Sequence, residues 1–411
     1  MSEWKECLLS ELGIIVGGAT PSTRDEANYG GDIGWITPKD LAGYGDRYIG
    51  RGERNITQKG FGSCSTVLLP KGAVLFSSRA PIGYVAIATN PLCTNQGFKS
   101  IIPNEKLDTL FGYYLLKHNK TKIENLGSGT TFKEVSAAVM RGVQVSIPTL
   151  TTQRKIAAVL GALDDKIELN RKMNANLEAM AQALFKSWFV DFEPFGGKMP
   201  EGWRMRSVSD LADFVGGYAY TSSELQPSQC AMATIKNFER NGGFKLEGYK
   251  EVVPSSKLKE SQRVDLFDIL VAHTDLTQNA EVIGNAEMIL SKSGYESLIM
   301  STDLVKVLPK EGVSRFVLAG VLKYAGFKAH ALGYVNGTTV LHMSKKALPE
   351  YELPYPDDVS VLRPLAEAAE SFCRKIAINL ELSRTLAQLR DALLPKLMSG
   401  ELDVEAVKVE V

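Results

Sequence analysis

The sequence predicts a mixed α/β protein with an internal pseudo-two-fold repeat, its two units joined by long antiparallel coiled-coil helices. Three observations carry this. "WKECLLSELGIIVGGAT" from Trp4 is matched by "WRMRSVSDLADFVGGYA" from Trp203, an offset of 199 for both the tryptophans and the Gly-Gly pairs. "GSGTTFKEVS" from Gly127 is matched by "VNGTTVLHMS" from Val335, with the GTT triplets 208 apart. "DKIELNRKMNANLEAMAQALFKSWF" (165–189) is matched by "RKIAINLELSRTLAQLRDALLPKLM" (374–398) at 209. Matches in the same order at nearly constant offset are the mark of duplication.

The elements follow in order. Residues 1–150 hold short apolar runs rich in β-branched residues, "IGWIT", "STVLLPKGAVLFSS" and "YVAIA", punctuated by Gly, Pro and Asn. Short helices are expected at 8–12, 38–42 and 107–120. Residues 151–190 form one long helix. Residues 191–202 are a linker whose prolines and glycines stop that helix and restart the chain. Residues 203–360 repeat the globular pattern, with "DLFDIL" leading into a strand. Residues 361–402 repeat the helix and 403–411 are a tail.

Spacings of four and three select Ile156, Leu160, Leu163, Ile167, Asn170, Asn174, Leu177, Ala181, Leu184 and Trp188 in the first helix. The second helix gives Leu365, Ala369, Phe372, Ile376, Asn379, Ser383, Leu386, Arg390, Leu393 and Leu397. This is a heptad seam with a polar centre. Asn170, Asn174, Asn379 and Ser383 would fix register, because any slip leaves a buried amide unpaired. That centre meets in either direction. The two-fold relation of the copies argues for antiparallel helices. A helix of 38 residues is roughly 57 Å long, more than one turn of duplex DNA. Periodicity alone also fits one compact helical core or a homodimer contact. Val159, Met173, Met180, Phe185, Phe189, Leu382, Leu389 and Leu394 lie off the seam, as packing for the linker or a surface for partners.

Composition is that of a folded globular protein, with 44% hydrophobic and 23% charged residues. No apolar run reaches eighteen residues, so no membrane span or membrane partner is expected. The N-terminus lacks a signal-peptide core, and five scattered cysteines fit a reducing cytoplasm. The formal net charge is zero. Residues 1–150 hold 16 Lys+Arg against 13 Asp+Glu, and residues 203–360 hold 17 against 19. Any DNA footprint is therefore local, or another subunit supplies the positive charge.

No catalytic or metal site emerges. His118, His273, His330 and His342 show no metal spacing. The phosphate loop G-x-x-x-x-G-K-[ST], the elbow G-x-S-x-G and the adenine-methyltransferase signature D/N-P-P-Y/F are missing. The remaining polar clusters suit recognition. "TPKD" offers Thr37, Lys39 and Asp40, "SSRAPIG" offers Arg79, and "TNQGFK" offers the amides Asn95 and Gln96 with Lys99. Amides pair with adenine edges and arginine with guanine, while lysine and hydroxyls take phosphates. The same places in the second unit hold Thr234, Lys236, Asn237, His273 and Thr274. A kept frame with changed tips fits two readers of two DNA sequences. On physics alone it fits sugar or peptide readers equally well.

The chain resembles the specificity subunit of Type I restriction–modification systems. The resemblance spans essentially the whole chain and rests on "TPSTRDEANYGGDIGWITPKDL" (20–41), "PKGAVLFSSRAPIGYVAIA" (70–88), "TNQGFKSI" (94–101), "IPTLTTQRKIAAVLGALDDKIELNR" (147–171) and "LPKLMSGEL" (394–402). It implies two target recognition domains, each binding one half of a bipartite, asymmetric site in double-stranded DNA. It implies helices that act as a ruler for the gap and dock two modification subunits. Those subunits carry S-adenosylmethionine and methylate adenine. Restriction subunits using ATP and Mg join them, and this chain itself is non-catalytic with no cofactor of its own. The second unit departs from the pattern: it has "GGYAYTSSEL", lacks the "TNQGFK" block, and starts its helix with "SVLRPLAEAAESF". A two-headed, non-catalytic protein-binding adaptor is the alternative reading.

Overall fold

The computed structural model describes residues 4–129, 133–240, 242–277, 279–338 and 340–407. Four helices organise it: α1 (Thr109–His118), α2 (Leu150–Phe189), α3 (Arg315–Tyr324) and α4 (Arg363–Ser399). The chain forms two compact units, residues 1–168 with 385–411, and residues 169–384.

In the first unit, Lys5–Leu8 pairs antiparallel with Gln144–Ile147. A five-stranded sheet runs in the order Gly13–Gly17, Lys99–Pro103, Val74–Ser78, Ile82–Ala88, Tyr48–Ile49. Side chains alternate across a strand, so Val74 and Phe76 enter the core under α1 while Leu75 enters a second core with Ile36 and Phe98. Both faces are covered, which is why this strand reads as an unbroken apolar run. Tyr29–Ile36 pairs in parallel with Leu92–Thr94. The start of α2 adds Ile156 and Leu160 to the core, and the end of α4 adds Leu397 and Met398.

The second unit repeats these pairings. Trp203–Ser207 lies antiparallel to Glu352–Pro356. The sheet order is Ala212–Gly216, Leu304–Pro309, Ile269–Ala272, Ala286–Met288. Cys230–Ala233 pairs in parallel with Ser297–Met300. Val317, Leu318 and Val321 of α3 cover Ile269 and Val271. Among the described residues, no counterpart of the Tyr48–Ile49 edge strand joins this sheet.

The repeated sequence blocks have physical reasons. A Cβ on Gly18 would lie 2.0 Å from the Thr94 carbonyl oxygen, and one on Gly217 would lie 1.9 Å from that of Ser301. At both places the chain passes the end of the parallel strand pair, with Ala19 N donating to Thr94 O and Tyr218 N to Met300 O. Only glycine allows that approach. The tryptophans recur because each covers the exit of a long helix. Trp4 lies against Gly400, which follows α4 with φ +76°. Trp203 is ringed by Phe189, Phe192 and Phe195. The linker is therefore packed, not idle.

The short helices expected at 8–12 and 38–42 are 3₁₀ turns, Leu9–Glu11 and Pro38–Leu41, and the third is α1. Of the matched triplets, Thr130, Thr131 and Thr339 lie outside the described residues. Several off-seam residues are core. Phe185 and Phe189 are buried in the second unit, and Leu394 packs on the core of the first. Phe185 enters through a notch in α3: a Cβ on Gly320 would lie 2.1 Å from its ring. Met180, Leu382 and Leu389 stay exposed. Pro395 lies inside α4, which continues to Ser399. Among the described residues, no helix is long and apolar enough to cross a membrane.

The helix segments run antiparallel within each unit. In the second, Asn170 Nδ2 donates to Ser383 Oγ at 3.1 Å and Asn379 Nδ2 donates to Asn174 Oδ1 at 2.8 Å. As one residue number rises, its partner's falls. Asn170 and Asn379 are 2% and 1% exposed. In the first unit, Arg390 of the seam is not apolar packing but a buried ion pair. It donates to Asp164 Oδ1 at 2.6 Å, and Tyr114 donates to the other oxygen at 2.6 Å.

Candidate nucleic-acid interface

The first unit gathers the expected recognition residues at one end of its sheets. Asp40 Oδ2 accepts from the Thr37 amide at 2.7 Å and its hydroxyl at 2.6 Å, while Oδ1 accepts from the Glu53 amide at 2.6 Å. Thr37 and Asp40 thus hold the turn that displays Lys39. Lys39 is exposed and pairs with Glu53 at 2.7 Å. This turn packs on a second one. A Cβ on Gly97 would lie 2.9 Å from Pro38 Cγ. There Asn95 Oδ1 accepts from Gly97 N at 2.8 Å, and Gln96 accepts from the Thr20 hydroxyl.

Arg79 stands just past the strand Val74–Ser78, and its Nη1 lies 3.4 Å from Glu134 Oε2. Lys99 Nζ lies 3.4 Å from the other oxygen of Glu134 and donates to Gln96 O at 3.3 Å. One carboxylate therefore orients two cations, leaving one net positive charge beside the amide of Gln96. Glu134 is the residue that the sequence alone does not single out. Glu134 lies in the stretch "GSGTTFKEVS", whose sequence signal is its repeat. Strand pairing between Arg79 and Glu134, 55 residues apart, brings it in.

In the second unit three expected contact residues are buried scaffold. Thr234 is 3% exposed and Asn237 fully buried. Thr234 N donates to Asn237 Oδ1 at 2.8 Å, and Asn237 Nδ2 donates to Lys245 O at 2.7 Å. This is the Thr37–Asp40 turn with its charge removed. Thr274, 5% exposed, donates to Asp303 Oδ1 at 3.0 Å. Their hydrogen bonds are made within the unit. Lys236 is exposed. His273 has a buried Nε2 without a partner among the described residues, and burial first, then His342, lowers its pKa. The counterparts of Arg79 and Glu134 are Thr274 and His342, paired across strands in the same way. The departure block "GGYAYTSSEL" is built around Glu224. That carboxylate accepts from the Tyr218 hydroxyl and from the amides of Thr221 and Ser255.

Fold and site together define a class: a duplicated α/β scaffold carried on long helices, with one frame and two different polar tips. Residues 1–179 match the family model described as "Type I restriction modification DNA specificity domain". The MjaIX specificity subunit of Methanocaldococcus jannaschii is 33% identical over 98% of this chain and 94% of its own length. The HindI specificity subunit of Haemophilus influenzae is 25% identical over 98% and 100%. The crystal structure of a Type I system S subunit from M. genitalium shares the fold, with a TM-score of 0.62, 15% identity and 96% of each chain covered. The chain belongs to the family of Type I restriction enzyme specificity subunits.

Proposed function

We propose that this chain gives a Type I restriction–modification complex its DNA sequence specificity. Each unit reads one half of a bipartite, asymmetric site in double-stranded DNA, and α2 and α4 set the gap between the halves. The helices dock two modification subunits, which bring S-adenosylmethionine and adenine methylation. Restriction subunits bring ATP and Mg. The chain itself supplies positioning and specificity, with no catalytic group or cofactor of its own, and works in the cytoplasm.

The observation that carries this reading is the changed tip on the kept frame. Arg79 and Glu134 of the first unit stand where Thr274 and His342 stand in the second. An arginine held by a carboxylate beside the amide of Gln96 presents different donors and acceptors from a histidine beside a buried threonine. Two such tips read unlike half-sites. The neutral net charge agrees with a duplex clamped jointly with partner subunits.

Single-molecule mapping of methylated adenines tests it. DNA is taken from cells expressing this chain with its neighbouring modification subunit, and from cells lacking this chain. The expected outcome is a two-part motif with a fixed gap, present only with the chain. No motif from a demonstrably active complex would favour the protein-binding adaptor instead.

A further inference from the structure

The central hairpin of the sheet differs in length between the units. Val74 pairs with Ile87 in the first, and Ile269 with Met288 in the second. The paired residues are 13 apart in one unit and 19 in the other, so the second hairpin is six residues longer. The extra residues lie at its tip. Arg79 and Gly83 are four apart, while their counterparts Thr274 and Gly284 are ten apart. Both glycines keep a positive φ, +100° and +78°. The first unit crosses between the arms with Ala80, Pro81 and Ile82. The frame therefore closes without the added residues, and the packing of the sheet does not account for them.

The longer tip is held at its base. Asp275 is 2% exposed and lies beside the Thr274–His342 pair. Its carboxylate ties both ends of the loop. Oδ1 accepts from the Thr277 amide and hydroxyl, each at 2.8 Å. Oδ2 accepts from the Val282 amide at 2.6 Å and the Ile283 amide at 3.3 Å. Burial works to raise the Asp275 pKa, but these hydrogen bonds outweigh it and hold the carboxyl below the usual carboxylate range. The other acid of the loop, Glu281, pairs with Arg240 at 3.0 Å. Lys328 donates to the Glu281 carbonyl and to Asn285 Oδ1. Both carboxylates are thus occupied within the unit, and two cations flank the outgoing arm. From this base Leu276 is displayed. At 64% exposure it is the most exposed large apolar side chain among the described residues of the second unit. Asn279 is exposed in the same loop. A lone exposed leucine needs no explanation. One carried by an added loop, clamped on a buried carboxylate at the tip of the sheet, does.

We propose that the loop 275–284 is the reading element of the second unit, entering the major groove of its half-site with Leu276 on a thymine methyl and Asn279 on an adenine. The inference rests on the DNA-reading function proposed above. The major groove admits a two-stranded β-ribbon, and apolar side chains and asparagine are the partners of thymine and adenine there. A loop fixed before binding loses little conformational freedom on contact. Thr234, Asn237 and Thr274 turn inward in this unit; the added loop supplies side chains that turn outward.

The test uses the full chain assembled with its modification subunit. Methylated-adenine mapping with wild type first gives the motif, and no motif there sinks the DNA-reading function itself. Duplexes carrying that motif are then made with uracil in place of thymine, one position at a time, which removes only the methyl group. Wild type is expected to bind one duplex substituted in the second half-site about fourfold more weakly. Leu276→Ala should bind that duplex and the unsubstituted one alike. Asn279→Ala should lose about tenfold in discrimination at an adenine of the same half-site, with the first half-site unchanged. Both side chains are exposed, so both variants are expected to fold. Uracil tolerated at every position by wild type, an equal uracil penalty in wild type and Leu276→Ala, or a variant motif altered only in the first half overturns the proposal while the DNA-reading function stands.

Discussion

Gly18 and Gly217 stand where the backbone passes a carbonyl oxygen at a separation no side chain tolerates. Gly18→Ala must push one segment away from the other, and overpacking of this kind costs about 1–3 kcal/mol. The variant is expected to unfold at lower denaturant than wild type, with the loss confined to the transition of the first unit. An unchanged midpoint would mean that the segment shifts freely. These glycines were legible in sequence because their spacing repeats. The roles of Thr37, Asp40, Thr234 and Asn237 were not. Turn-holding and base recognition both favour threonine, aspartate and asparagine. What separates them is burial, and burial depends on what packs over the turn. Asn237 is covered by the segment carrying Lys245, while Lys39 projects from the same kind of turn into solvent.

The long helices were the most legible elements, because a heptad pattern sums over many residues. The polar centre meets as expected, with Asn170 on Ser383 and Asn174 on Asn379. Each amide that lost its partner would leave a buried polar group worth about 1–3 kcal/mol, so register is firmly held. For Phe185 the helix pattern leaves linker packing and a partner surface both open, since nothing in the helix itself announces the notch at Gly320 that receives it. The first unit fills the corresponding place differently, with Tyr114 where the second has Gly320. If the helices set the gap, seven residues inserted into each at matched seam positions add roughly 10.5 Å. That is about three base pairs at ~3.4 Å each. Methylation mapping should then show a longer gap with both half-sites intact. A changed half-site with an unchanged gap would sink the ruler.

At the scale of the molecule, duplication lets two domains keep one frame and vary independently. Both units share the antiparallel pair that closes on a tryptophan, the antiparallel strands of the central sheet and the parallel pair beside it. Exchanging residues 1–150 for the corresponding domain of another specificity subunit should therefore alter one half of the methylated motif and leave the other half untouched. Loss of both halves would show that the domains do not read separately. Frame and tips differ in what they demand. The frame needs glycines and apolar residues at fixed spacing; the tips need only side chains that fold over one another without conflict.

The sequence by itself determined the duplication, the mixed α/β class and the seam with its asparagines. Each is a periodic or repeated signal, carried by many residues and insensitive to any one contact. The tertiary structure alone decided which polar residues are scaffold and which are displayed. It alone joined Glu134 to Arg79 and Lys99. Those facts depend on single side chains meeting across tens to hundreds of residues, and hydrogen-bond and ion-pair strengths fall away within a few ångströms. No local spacing encodes such a meeting; the packed fold creates it.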